Sequence, residues 1–283
     1  MIAAVVVTHS APAGMLERCL GALERAGGID LTVVVDNGDG EPVDADVVVI
    51  RTANRGYGAA ANEGIAHARS LGATTVALLN DDVVVRPGWI EPLLDELAAP
   101  YVGAAQPALV ELGTDPPLVN SLGVVLGPDG AGNDVGRGLA YDAAPPCDLE
   151  LFTGGAVAVT PAFVDATGGF DERYFLYYED VDLALRGAAL GWRYRLVPAA
   201  RVDHAGSATT TSDAGRTRYL QERNRLWVSV RFGDPGTIRR ALWLSLRRLR
   251  HRPRRLHARA LAGGLAAAPR LVLERRRSGR ASA

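Results

Sequence analysis

Short apolar runs alternate with segments of helical spacing over the first 80 residues. Four runs rich in β-branched residues predict buried strands, at residues 2–8, 31–36, 46–51 and 75–80. Leucines at helical spacing predict a helix over 12–26, and an Ala-rich segment predicts another over 58–71. Because strands alternate with helices, the pattern predicts a parallel sheet with right-handed crossovers. The first run lacks a preceding basic region, so it is interpreted as a strand rather than a signal peptide.

The pattern changes after Trp89. Residues 101–160 contain β-like runs between loops rich in Gly, Pro and Asp, and they predict mixed or antiparallel strands that complete the sheet. Helices are predicted over 179–190 and over about 212–230. Arginine-rich helices follow from Pro235, with interruptions at Pro253 and Pro269. The chain is therefore divided into an α/β domain, 1–232, and a basic helical extension, 233–283.

Composition and charge change this picture in two ways. With 283 residues, 48% of them hydrophobic, the chain can bury one large α/β core with an appendage. The two cysteines, Cys19 and Cys147, have no CxxC partner, which favours a reducing, cytoplasmic compartment. The net charge of -1 hides an asymmetry, because fourteen arginines but only one acid, Glu274, follow Ile238. A basic tail on an acidic body indicates an anionic partner for the tail.

The basic tail carries an apolar stripe at Leu242, Leu246 and Leu249, with Trp243 close by and arginines around it. This arrangement suits a helix that lies on an anionic membrane surface, at the inner face of the cell membrane. The alternative is a helix pair that packs on the α/β domain or on a second copy of the chain, as in a homo-oligomer. Nucleic-acid binding is disfavoured because the arginines lack interleaved aromatics and no recognised motif occurs.

Polar residues stand where the predicted strands end: Thr8-His9, Asp36-Asn37 and Asn80-Asp81-Asp82. Ligands of parallel sheets bind at these carboxyl ends. If strand geometry continued past residue 80, Asn80 and Asp82 would project together and Asp81 would point away. A carboxylate there could hold Mg²⁺ or Mn²⁺, which prefer oxygen ligands and keep sites for phosphate oxygens. The alternative is that these residues only form a turn or a helix cap.

Three other segments contain candidate chemistry. Glu179 and Asp180 stand at the start of a predicted helix, where they could be N-terminal caps, or Asp180 could be a general base. His204 follows a strand-like run and could be a metal ligand or a hydrogen-bonded loop histidine. The glycine-punctuated segment 54–64 enters a helix, and its backbone amides could hold phosphate or ribose oxygens.

The order and spacing of these segments resemble family-2 glycosyltransferases of the GT-A fold, especially the bacterial rhamnosyltransferase-like and galactofuranosyltransferase-like members. The resemblance covers residues 2 to about 232. It is carried by VVVTHS, VVVDN, NRGYGAAAN, LLNDDV, FTGGAVAVT, GGFDERYFLYYEDVDLALR, VDHAGS and QERNRLWV. It implies a mixed, mainly parallel sheet flanked by helices. It also implies inverting transfer of a sugar from a nucleotide-diphosphate donor to a hydroxyl group.

The resemblance also implies roles for individual residues. For the donor, Thr8 and Asp36 match contacts to the nucleotide base and ribose, Asn54, Gly56 and Asn62 match the segment that lines the donor pocket, and Gly154 and Gly155 match a pair beside the donor sugar. For the metal, Asn80, Asp81 and Asp82 match the DxD-type motif, with Asp82 on the ion, and His204 matches a histidine of the metal shell. For the reaction, Asp180 matches the catalytic base and Glu179 matches an acid that assists acceptor binding. Asn80 stands where the first acid of the motif is expected, which leaves fewer carboxylates for the ion.

The expected donor is dTDP-rhamnose, or otherwise a UDP-sugar, on resemblance alone. The expected acceptor is a glycan or polyprenyl-linked molecule in cell-wall or surface polysaccharide synthesis. A non-catalytic scaffold is disfavoured because both Asp82 and Asp180 are present. A sugar-1-phosphate nucleotidyltransferase or a dehydrogenase would carry a glycine-rich signature after the first strand, where this chain has THSAPAG.

Overall fold

The computed structural model describes residues 1–38, 40, 46–206 and 214–281. The strands are β1 (Ile2–Thr8), β2 (Leu31–Asp36), β3 (Val48–Arg51), β4 (Thr75–Asn80), β5 (Val83–Val85), β6 (Val102–Glu111), β7 (Val119–Ser121), β8 (Val124–Leu126), β9 (Gly132–Asp134), β10 (Cys147–Leu149), β11 (Ala156–Val159) and β12 (Arg193–His204). The helices are α1 (Met15–Ala26), α2 (Tyr57–Ser70), α3 (Glu91–Leu97), α4 (Pro161–Thr167), α5 (Glu179–Ala189), α6 (Ala214–Phe232), α7 (Pro235–Arg248) and α8 (Arg254–Ala281).

One mixed sheet organises these elements in the order β10-β12-β6-β11-β4-β1-β2-β3. β1 runs parallel to β2 and β4, and β2 runs parallel to β3. β11 is antiparallel to both β4 and β6, and β12 is parallel to β6. The predicted mixed, mainly parallel sheet flanked by helices is therefore confirmed. Its register places Thr8 beside Asp36 and Val7 beside Asn80, so the polar strand ends meet at one edge.

The strands are apolar on both faces because helices cover both sides of the sheet. In β1, Val5 packs in a core layer that includes residues of α2, α4 and α5, whereas Val6 packs in a layer with α1 and α3. At Gly64 of α2, a Cβ atom would lie 2.3 Å from Val5 Cγ1, so glycine allows the helix to approach the sheet closely. This close packing fixes the N-terminal end of α2 beside the strand ends.

Several predicted boundaries differ from the structure. β3 begins at Val48 rather than residue 46. The helix predicted from about Ser212 is described from Ala214, and Ser212 itself lies outside the described residues. The short helices α3 and α4 were not predicted, because seven residues give too few turns for a helical pattern. Pro269 lies inside α8 and does not interrupt it, since the helix packs along α6. Pro253 does separate α7 from α8.

The C-terminal extension packs on the α/β domain. Trp227 Nε1 of α6 donates to the Gly263 carbonyl of α8 at 3.2 Å, and Glu274 pairs with Arg173 and Arg231. The opposite surface of α7 leaves Trp243 58% exposed and Leu246 55% exposed, among arginines. None of the helices within the described ranges has the length and apolar content of a membrane span.

Candidate active site

A cleft of about 800 Å³ opens at the carboxyl ends of β1, β2 and β4. The N-terminal ends of α2 and α5, the end of β12 and part of α6 complete its wall. Ten predicted site residues line it: Asn54, Gly56, Asn80, Asp81, Asp82, Gly154, Gly155, Glu179, Asp180 and His204. Residues that are separated by up to 150 positions in the sequence therefore lie together in one cleft.

Asp81 and Asp82 form the turn between β4, which ends at Asn80, and β5, and all three residues line the cleft. The predicted strand alternation, with Asp81 pointing away, is therefore wrong, because the strand ends at Asn80. The Thr8 hydroxyl donates to Asp81 Oδ2 at 2.7 Å. Burial raises the pKa of Asp81, although the Thr8 hydrogen bond opposes this shift.

Asp82 and His204 face each other in the cleft. His204 Nδ1 lies 2.9 Å from the Asn120 amide oxygen, which can only accept, so Nδ1 is the donor and, in the neutral ring, Nε2 has a free lone pair. Nε2 lies 3.1 Å from Asp82 Oδ1. The two atoms are not aligned as a hydrogen bond, and both are buried without a hydrogen-bond partner. Two converging acceptor atoms of this kind fit a divalent cation.

The protein ligand set at this point is small. Within the described ranges, no three His, Cys, Asp or Glu side chains converge as a metal-binding group. A cation held by Asp82 and His204 would therefore keep most of its coordination positions for phosphate oxygens and water. This is the usual behaviour of Mg²⁺ at phosphate sites.

The Glu179-Asp180 pair begins α5 at the same cleft. Asp180 Oδ2 accepts from the Gly154 amide and Oδ1 from the Val181 amide, each at 2.8 Å. Burial nevertheless raises the pKa of Asp180. Glu179 is 6% exposed, and its Oε2 has no hydrogen-bond partner in the structure. Burial and then the Asp180 charge raise the pKa of Glu179, so both carboxyls hold protons more tightly than exposed ones.

The segment before this pair has an unusual backbone. Phe175, Tyr177 and Tyr178 have φ angles of 70°, 67° and 70°, the left-handed region that side chains disfavour. The Tyr57 amide donates to the Phe175 carbonyl at 2.8 Å, and a Cβ atom on Gly56 would lie 2.0 Å from that oxygen. Gly56 thus permits the contact between α2 and this segment. Strain of this kind costs roughly 1–3 kcal/mol per residue and needs support from its surroundings.

Asn224 of α6 provides that support. It is completely buried, and its Nδ2 donates to the carbonyls of Tyr174, Leu176 and Tyr177 at 3.1, 2.9 and 2.7 Å. Sequence reasoning assigned Asn224 no role, although it lies in the motif QERNRLWV. The signal available in the sequence was an asparagine within a predicted helix, where this residue type is disfavoured.

Three predicted donor contacts lie behind the lining of the cleft. Thr8 is 4% exposed and holds Asp81; Asp36 Oδ1 accepts from the Gly38 amide at 2.9 Å. Asn62 pairs its amide with both backbone groups of Phe170, at 3.0 and 2.9 Å, and so ties α2 to the segment after α4. These three residues position their neighbours in the structure. The lining instead includes the strand-end residues His9 and Asn37, which were given no individual role, and three residues that were not singled out: Tyr57, Asn120 and Arg225.

Comparison with known sequences gives a match to a family model and a relative that covers most of the chain. The model of the family described as "Glycosyl transferase family 2" matches residues 3–118. The N-acetylglucosaminyl-diphospho-decaprenol L-rhamnosyltransferase of Mycobacterium tuberculosis is 33% identical over 238 residues, which are 74% of this chain and 77% of the relative.

Solved structures resemble the fold at low sequence identity. GalNAc-T7 with UDP, GalNAc and Mn²⁺ gives a TM-score of 0.65 at 15% identity, over 83% of this chain and 48% of that one. The mannosyltransferase PcManGT of Pyrobaculum calidifontis with GDP-Man and Mn²⁺ gives 0.52 at 15% identity, over 98% of this chain and 84% of that one. This chain thus spans about half of the GalNAc-T7 chain. The likeness confirms the expected GT-A fold.

Proposed function

The chain belongs to glycosyl transferase family 2, and from this premise we propose that it transfers a sugar with inversion and with the help of a divalent cation. It is a glycosyltransferase that acts on a nucleotide sugar. The observation that carries the proposal is that the Asp82–His204 pair and the Asp180 carboxylate line the same cleft. One cation site and one base are sufficient for a single displacement.

Asp180 takes the proton of the acceptor hydroxyl while that oxygen bonds to the anomeric carbon and the bond from that carbon to the diphosphate oxygen breaks. The Gly154 and Val181 amides hold the Asp180 carboxylate in place for this step. A divalent cation on Asp82 and His204 would stabilise the negative charge of the departing diphosphate. Attack from the face opposite the leaving group inverts the anomeric centre.

The donor we propose is dTDP-rhamnose, and the acceptor is a hydroxyl of a lipid-linked N-acetylglucosaminyl diphosphate. The support is the relative from Mycobacterium tuberculosis, whose name specifies L-rhamnosyl transfer to such a lipid. Glu179, with its unpartnered Oε2, is placed to bind the acceptor sugar. Asn54, Gly56 and Gly155 line the part of the cleft assigned to the donor.

The test is calorimetric titration with dTDP-rhamnose, UDP-galactose, UDP-galactofuranose, UDP-glucose and GDP-mannose, each with Mn²⁺ and with EDTA. We expect dTDP-rhamnose to bind with Mn²⁺ and to lose most affinity in EDTA, and Asp82→Ala to bind weakly in both. Asp95→Ala, an exposed aspartate of α3, is the control. Equal donor affinity with and without metal would refute the cation site, and binding of none of the five would refute the donor class.

Product stereochemistry tests the displacement separately. NMR of the product should show the anomeric configuration opposite to that of the donor. Retained configuration would contradict a single displacement with Asp180 as base.

A further inference from the structure

A second part of the cleft wall is formed by α6 and α7 and is rich in arginine. Arg218 and Arg225 of α6 and Arg248 of α7 all line the cleft. We call these three residues the arginine wall. The reaction proposed above uses none of them, because its base and its cation ligands lie at α5, the β4–β5 turn and β12.

The arginine wall has more positive charge than its surroundings neutralise. Among the described residues, Glu222 is the acid that forms ion pairs with the arginine wall. Its Oε1 lies 3.3 Å from Arg218 Nε and 3.2 Å from Arg248 Nη1. The other oxygen of Glu222 lies 2.8 Å from His257 Nδ1. This one carboxylate contacts two of the three guanidinium groups, so ion pairs neutralise one of the three positive charges on the wall.

Arg225 is the buried member of the arginine wall. It is 2% exposed and has no ion pair in the part of the chain that the structure describes. Burial, and then the charge of Arg248, lower the pKa of Arg225. A buried cation without a counter-ion is costly, and an anionic ligand would relieve that cost.

Neutral oxygen atoms hold Arg225 in position. Nη1 donates to the Asp129 carbonyl at 2.7 Å, and Nη2 donates to the Ala241 carbonyl at 3.1 Å and to Ser245 Oγ at 2.7 Å. Its Nε is buried without a partner. These contacts orient the guanidinium without neutralising it, so the site is organised before a ligand arrives.

The location of the wall indicates which ligand it binds. Tyr178, adjacent to Glu179, also lines the cleft. Arg248 ends α7, the helix that exposes Trp243 and Leu246 on its surface. The wall thus lines the same cleft as the proposed base, Asp180.

We infer that the arginine wall binds the diphosphate group of a lipid-linked acceptor. A diphosphate between a sugar and a prenyl chain carries two negative charges, which match the excess on the wall, and guanidinium groups bind phosphate oxygens through paired donors. The sugar of such an acceptor then shares the cleft with Asp180, whose carboxylate takes the hydroxyl proton. This inference rests on the proposed glycosyltransferase function and specifies its acceptor.

The kinetic test compares two acceptors: N-acetylglucosamine on a short prenyl diphosphate, and octyl N-acetylglucosaminide, which has no phosphate. Arg218→Gln and Arg248→Gln, singly and together, are suitable because these side chains are 50% and 32% exposed and their loss should preserve the fold. We expect KM for the diphosphate acceptor to rise roughly tenfold per arginine. The octyl glycoside should be used with unchanged kcat/KM, and Arg25→Gln, an exposed arginine of α1, should change neither.

Equal rises for both acceptors, or no rise for the diphosphate acceptor, would overturn the subsite. Transfer to neither acceptor by the wild-type protein would instead refute the proposed function, so the two failures are distinguishable.

Binding provides a second readout that does not depend on turnover. Geranyl diphosphate is titrated in EDTA, which removes the contribution of the cation site. The wild-type protein should bind it, and the double variant should lose that binding, while both bind phosphatidylglycerol vesicles equally. Unchanged binding of geranyl diphosphate by the double variant would overturn the inference. If the double variant lost vesicle binding but kept geranyl diphosphate binding, these arginines would bind lipid headgroups instead.

Discussion

At the scale of single residues, Glu179 and Asp180 are neighbours with different surroundings. Both oxygens of Asp180 accept backbone N–H groups, which fixes the carboxylate in one orientation. Glu179 keeps an unpartnered oxygen at a buried position. A fixed orientation suits a group that must accept a proton from a bound hydroxyl, and this difference supports Asp180 as the base.

Asp180→Asn should reduce kcat by roughly 10²–10⁴-fold, because the amide cannot take the acceptor proton. Donor affinity should stay within about twofold, since the amide oxygen can still accept one of the two N–H groups. Steady-state kinetics and donor calorimetry measure the two effects, with Asp95→Asn as the control. Near-normal turnover would remove Asp180 from the role of base.

Glu179→Gln should stabilise the protein increasingly as pH rises. The pKa of Glu179 is higher in the folded chain than in the unfolded chain, so the unfolded state loses its proton first as pH increases. Glu179 therefore lowers the free energy of unfolding of the wild type as pH rises above the ordinary pKa of glutamate. Glutamine does not titrate, so the variant does not lose this stability.

Thermal melts at pH 4 and pH 8 test this prediction. The Tm difference between Glu179→Gln and the wild type should be larger at pH 8, and Glu17→Gln, an exposed site on α1, is the control. An identical difference at the two pH values would contradict the raised pKa.

The residues of the cleft could be predicted where they follow directly from a strand end. Asn80, Asp81 and Asp82 lie at the cleft because β4 ends there, which the apolar run 75–80 indicated. Thr8 and Asn62 lie in the predicted segments, but their side chains turn to Asp81 and Phe170. The direction of these two side chains depends on partners 73 and 108 residues away along the chain, which no local sequence pattern reveals.

At the scale of elements, residues 175–178 connect two parts of the chain that are distant in sequence. Asn224 holds this segment from α6, about 50 positions away, and α2 contacts it through Tyr57. The helical pattern of 179–190 predicted α5, but the left-handed conformations before it arise from these tertiary contacts. Leu190 illustrates the same limit: it fits the helix period, yet α5 ends at Ala189 and Leu190 is 52% exposed.

Asn224→Ala should lower kcat roughly 10²-fold while donor affinity changes little, because a small displacement of Asp180 suffices to impair the reaction. The acid limb of the kcat profile should also move to lower pH, since a relaxed, better solvated Asp180 has a lower pKa. Kinetics between pH 5 and pH 9 and donor calorimetry measure both. A parallel loss of kcat and donor binding, with an unmoved acid limb, would indicate general unfolding instead of positioning.

At the scale of the whole molecule, the C-terminal extension packs against the α/β domain on one side and exposes apolar and basic side chains on the other. α8 packs on α6, and Glu274 reaches Arg173 beside the segment 175–178. The interpretation of the tail as a helix pair packed on the α/β domain is thus correct for its inner face. The apolar stripe and arginines on the outer face are compatible with the membrane interpretation, which stays a prediction.

The double variant Trp243→Ser, Leu246→Ser should bind anionic vesicles at least roughly tenfold more weakly, because each side chain would bury apolar area in the lipid. Leu190→Ser removes an equally exposed leucine elsewhere and is the matched control. Sedimentation with phosphatidylglycerol vesicles measures the binding, and activity on octyl N-acetylglucosaminide should be unchanged. Equal sedimentation of the variant and the wild type would refute membrane attachment through α7.

The exposure of Trp243 also gives the protein an internal optical reporter. Of its four tryptophans, Trp89 and Trp227 are buried and Trp192 is half-buried, whereas Trp243 is 58% exposed. An aqueous quencher such as iodide should therefore act mainly on the long-wavelength emission of Trp243. Attachment through α7 would shield that emission and shift it to the blue, so vesicle binding could be followed in real time without a label.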